Sequence, residues 1–96
     1  MINYIIHVSL TDAQPETIVR LSFELSKYNI AAGVKADDGR GYHLPPGTFM
    51  YYGNETINEV RDAVHRLAET IKPGASVVVT EAASLSWSGL QEVPAA

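Results

Sequence analysis

Between Thr56 and Gly74, the apolar residues Ile57, Val60, Val64, Leu67 and Ile71 recur three and four positions apart. That is the spacing of one face of an α-helix. Thr56 with Glu59 three residues later forms a capping box at its start. Pro73-Gly74 ends it, because proline cannot continue the hydrogen-bond ladder and glycine accepts positive φ. A helix with a single apolar face must bury that face against another element, and the flanking sequence supplies strands.

The stretch "NYIIHVSL" (Asn3–Leu10) alternates. Tyr4, Ile6, Val8 and Leu10 point one way, and Asn3, Ile5, His7 and Ser9 the other. "TDAQ" follows, with Asp12 as the candidate cap of a helix that opens at Pro15. This first helix is predicted from Pro15 to Tyr28, with Ile18, Leu21, Leu25 and Tyr28 inward. Glu16, Arg20 and Glu24 stand four apart on another face, where opposite charges pair. Further strands are predicted over Ile30–Ala36, Thr48–Gly53 and the valine-rich Ala75–Ala82. Leu85–Leu90 is read as a last short extended piece.

The predicted fold is therefore α+β, a ferredoxin-like β-α-β-β-α-β sandwich. An antiparallel sheet carries two helices on one face, and Leu85–Leu90 can add a fifth C-terminal strand. Residues 1–91 form one domain and 92–96 a flexible tail. The other sheet face, with Ile5, His7 and Ser9, has no helix to cover it, and a homodimer made through the sheet or its edge is expected. A base-stacking platform is the alternative use, although "GTFMYYGN" lacks the basic-glycine-aromatic motif of RNA-recognition domains.

Composition narrows the function classes. The 96 residues carry a net charge of −4, against a non-specific nucleic-acid coat, which needs surplus lysine and arginine. Without cysteine there is no disulfide frame, thiolate metal site or cysteine nucleophile. No basic leader region opens the chain, and no run approaches the ~18 apolar residues of a membrane span. A cytoplasmic location without membrane contact is expected.

"DDGRGYHLPPG" (Asp37–Gly47) is the densest run of reactive and turn-forming residues. Asp-Gly supplies the positive φ of a tight hairpin, and "PPG" a rigid bend. Arg40 and His43 remain as candidates for chemistry. Histidine moves protons near neutral pH, and arginine grips a phosphate with two hydrogen bonds. Together they would suit RNA cleavage, as acid or base and as phosphorane stabiliser. Asp12 is the third candidate. His7 reads as a surface or interface residue, and His65, near Asp62 and Glu69, as a solvated one. No phosphate-binding loop, dinucleotide fingerprint, zinc-protease motif or serine elbow is present.

"NYIIHVSL", "DDGRGYHLPPGTFMYYGN" and "VVVTEAASLSWSGL" resemble small bacterial and phage-borne proteins grouped with the GhoS-type endoribonuclease antitoxins. The resemblance spans Asn3 to about Val93. It implies a Cas2-like ferredoxin fold, a homodimer whose last strand crosses to the partner, and cutting of a specific messenger RNA in a toxin–antitoxin system. Leu85–Leu90, with Trp87 as anchor, would be the crossing segment. Cas2-like proteins hold a metal with an aspartate ending the first strand. Here Ser9 and Leu10 stand there and Asp12 follows in the loop, so no metal or cofactor is expected. The reading from another class is a non-catalytic, phage-derived interaction or inhibitor protein, an acidic homodimer engaging a basic protein partner.

Overall fold

The computed structural model describes residues 1–94. Its elements are β1 (Ile2–Ser9), α1 (Pro15–Ser26), β2 (Gly33–Lys35), β3 (Gly41–His43), β4 (Thr48–Gly53), α2 (Ile57–Ile71) and β5 (Ser76–Glu81). The fold is α+β: two helices, an antiparallel sheet in the order β4-β1-β5, and a β2-β3 hairpin. The order β-α-β-β-β-α-β is roughly ferredoxin-like.

The alternation of β1 works as read. Tyr4, Ile6, Val8 and Leu10 are buried, while His7 and Ser9 on the other face are exposed. The buried side meets Leu21 and Leu25 of α1, Phe49 of β4, and Val60, Val64 and Ala68 of α2 in one cluster. The capping box of α2 forms in full: the Glu59 N–H donates to the Thr56 hydroxyl, and the Thr56 N–H to the Glu59 carboxylate. Ala68, absent from the apolar stripe read in sequence, is fully buried.

The expected order omitted one strand. Gly41–His43 forms β3, paired with Gly33–Lys35, because the intervening turn reverses the chain at once. The Gly39 N–H donates to the Ala36 carbonyl at 2.9 Å, and Gly39 takes φ 90°, a conformation open to glycine at little cost. Pro45-Pro46-Gly47 then bends the chain into β4. Gly47 has φ 84°, and a Cβ there would lie 2.7 Å from the Val8 carbonyl oxygen.

Other differences are local. α1 ends at Ser26, Asn29 turns to φ 63°, and Tyr28 is 62% exposed instead of inward. Asp12 does not cap α1. It sits before the N-cap Gln14 with φ 53°, and its carbonyl accepts from Lys72 Nζ at 2.8 Å. Glu24 pairs with Lys27 at 3.0 Å, one turn on, rather than with Arg20. His65 is tied down: its Nε2 lies 3.2 Å from the Ala75 carbonyl and 3.3 Å from Glu69.

Leu85–Leu90 forms no regular strand. The segment leaves β5, passes over the open face and returns to β3, where Tyr42 bridges Glu92. Backbone bonds join Gln91 and Val93 to β3, around the start of the predicted tail; Ala95 and Ala96 lie outside the described residues. Among the described residues, no helix is long and apolar enough to cross a membrane.

This packing separates two neighbours on α1. Leu25→Ala should cost about 2–5 kcal/mol, as for a fully buried leucine. Tyr28→Ala should stay within about 0.5 kcal/mol, as for a surface change. Urea unfolding of both variants checks this, and equal losses would return Tyr28 to the core.

Candidate functional site

The open sheet face is only partly open. Asn3 of β1 and Met50 of β4 floor a groove of about 540 Å³. Val34 and Lys35 of β2 line one wall, and the segment from Ala82 to Trp87 the other. Backbone bonds hold that segment's far end. The His43 N–H donates to the Gln91 carbonyl at 2.9 Å, and the Val93 N–H to the Gly41 carbonyl at 2.8 Å. Trp87 packs against Tyr42, with ring centroids 5.9 Å apart and planes tilted by 52°. Val34, 7% exposed, stands outside the main core cluster and is buried on this side. The groove thus mixes polar and apolar side chains on its floor and on both walls. Lys35 is its cation, Asp37 its acid, and Ser84 and Ser86 its hydroxyls.

The three sequence candidates do not line this groove. Arg40, at the hairpin tip, lies 3.6 Å from a carboxylate oxygen of Asp38 and 3.7 Å from one of Glu92. Two half-exposed acids therefore compete with any phosphate for its guanidinium. His43 is exposed at the end of β3, with its backbone bonded to Gln91. Asp12 lies beyond the other end of β1 from Asn3. Among the described residues, no hydrogen bond or ion pair joins any two of the three, and no three potential metal-ligating side chains gather. His7, mid-strand on the open face, contacts Thr48 through Nδ1 at 3.3 Å.

A polar cluster on the helix side went unread in the sequence. The Tyr51 hydroxyl donates to Glu55 at 2.6 Å, and the Tyr4 hydroxyl to the Glu55 carbonyl. The two rings stack, 6.5 Å apart. The bond to Glu55, aided by burial, raises the Tyr51 phenol above its ordinary range. The same bond, with backbone N–H donors, holds the Glu55 carboxyl below its ordinary range. Burial raises Tyr4, and the charge of Glu81 adds to it. Tyr51 and Glu55 line a second, more apolar groove of about 650 Å³ between α1 and α2. The only sequence signal was a tyrosine four residues before a glutamate across the Gly53-Asn54 turn. The cluster staples that turn to the core.

Compared with known proteins, the chain matches no family model and no curated protein.

The Tyr51–Glu55 bond predicts a pH signature. Glu55 is held below its ordinary 4.5, so its contribution is full above 4.5 and lost as pH falls through the lowered value. Tyr51 is held above its ordinary 10.0, so its contribution is full below 10.0 and lost as pH rises through the raised value. The difference in Tm between the native protein and Tyr51→Phe should therefore be widest between those limits and close on both sides. A pH-independent difference would mean the bond does not form.

Proposed function

We propose that this protein is a GhoS-like antitoxin or regulator, a cytoplasmic homodimer that acts on a specific RNA held on its open sheet face. One observation carries the reading. The three stretches that bear the resemblance lie far apart in sequence, yet all contribute to a single groove: Asn3 from the first, Asp37 and Met50 from the second, Ala82 to Trp87 from the third. A roughly ferredoxin-like order also accords with what the resemblance implies.

The chemistry suits single-stranded RNA better than a duplex. A base stacks on an aromatic face whatever its identity, and Trp87 and Tyr42 supply such faces beside the groove. Lys35 offers a phosphate its charge, and Asn3, Ser84 and Ser86 offer hydrogen bonds to base edges. A small local site of this kind needs no positive net charge. Cutting would fall to His43 as general acid or base, with Arg40 exchanging Asp38 and Glu92 for the scissile phosphate.

A second reading, the non-catalytic interaction protein, is favoured by the outer side of α1. Val19 is 68% and Phe23 62% exposed there, one helical turn apart. A basic protein partner with an apolar contact would fit that side and the acidic charge.

Purified protein mixed with total bacterial RNA, and with labelled single-stranded RNA, separates these readings. The RNA reading expects binding that falls about tenfold in Trp87→Ala, the scale of one lost stacked base. It expects cutting that slows about 10²-fold in His43→Ala. Arg40→Lys should also slow cutting, because lysine lacks the two-pronged grip. Absence of both binding and cutting would leave the interaction reading in place.

A further inference from the structure

The strand edges of this protein are treated unequally. The outer side of β4 meets Ala31, with the Ala31 N–H and the Met50 N–H each donating to the other's carbonyl at 2.8 Å. The outer side of β3 meets Gln91 and Val93 through the two bonds described above. β5 pairs with β1 alone, and its outer side meets no strand among the described residues.

The register shows which groups that edge presents. The Ala82 N–H donates to the Asn3 carbonyl at 2.8 Å. Along an antiparallel ladder, residues that bond one neighbour alternate with residues that face away. Counting back from Ala82, Thr80, Val78 and Ser76 turn their backbone groups to β1. Val77, Val79 and Glu81 turn theirs to the open edge.

Exposed edges are normally guarded by lysine, proline, bulges or short length. β5 runs six residues, Ser76–Glu81, with an unbroken register to β1 and no lysine or proline. Val78 is 60% exposed on it. Glu81 is its only charge.

Building on the homodimer reading, we infer that β5 pairs antiparallel with β5 of a second copy, about a two-fold axis through Val79. The strand is self-complementary in that register. Val77 stands opposite Glu81 of the other copy, and Val78 opposite Thr80, so β-branched residues fill most positions and no like charges face each other. The two Glu81 side chains sit four residues apart along the joint, roughly 14 Å. That exceeds the ~8 Å screening length at physiological salt. Two three-stranded sheets become one of six strands, and the outward N–H and C=O groups of Val77, Val79 and Glu81 gain partners. The contact uses neither the groove nor Trp87.

Sedimentation equilibrium across a concentration series, with amide hydrogen exchange on the same samples, tests this. The expected result is a dimer in which the amides of Val77, Val79 and Glu81 slow at least tenfold as dimer forms. Val79→Pro should be monomeric with an unchanged circular dichroism spectrum, because the N–H it removes does not bond β1. If that variant fails to fold, exchange in the native protein decides. A dimer whose three edge amides exchange fast at every concentration overturns the β5 joint and leaves the homodimer reading standing. A monomer at every concentration overturns both.

Discussion

β1 bonds β4 through its even residues and β5 through its odd ones, and its even side chains fill the core. That double commitment sets the rest of the structure. With both edges bonded and Tyr4 and Ile6 fully buried, β1 cannot slip by one residue without sending its core side chains to the open face. The helices cover the even side. The odd side, with Asn3, Ile5, His7 and Ser9, is left for whatever else the chain can bring there.

What the chain brings is its own C-terminal segment. The segment needs no regular strand to reach across. It is pinned at its start by the Ala82 bond to Asn3 and at its end by the bonds of Gln91 and Val93 to β3. Between these pins, Trp87 rests on Tyr42. The hairpin is held in turn: Gly41 lies under Val93, 3.7 Å from where its Cβ would stand, and Arg40 reaches Glu92. The groove is therefore a product of two weakly supported parts that brace each other. The resemblance-bearing stretches pair in the β4-β1-β5 sheet and all reach the groove as well, which links the fold to the proposed RNA function.

Much of this was legible in the sequence because its physics is local. β4 spans Thr48–Gly53 as read from its aromatics, and the Thr56–Glu59 box sets the start of α2. The Asp-Gly turn was legible as well, since only its backbone chemistry was needed. The strand it creates was not, because Gly41–His43 is too short to show alternation and owes its pairing to the turn. Leu85–Leu90 read as a strand, yet backbone bonds from Gln91 and Val93 fix its course, and such bonds leave no side-chain signature. The sequence could not show that Arg40 has Glu92 as a neighbour, so it looked freer for phosphate than it is. The Tyr51–Glu55 staple escaped for a similar reason: its meaning depends on the buried Tyr4 ring stacked beside it.

The central claim is that the C-terminal segment closes on its own hairpin and so builds the groove. Nuclear Overhauser contacts between the Trp87 indole and the Tyr42 ring test it most directly, read in an equal mixture of labelled and unlabelled chains. The account predicts these contacts within one chain, with slowed exchange of the His43 and Val93 amides. Contacts that appear only between labelled and unlabelled chains, or a Trp87 indole with no contact to Tyr42, would contradict it.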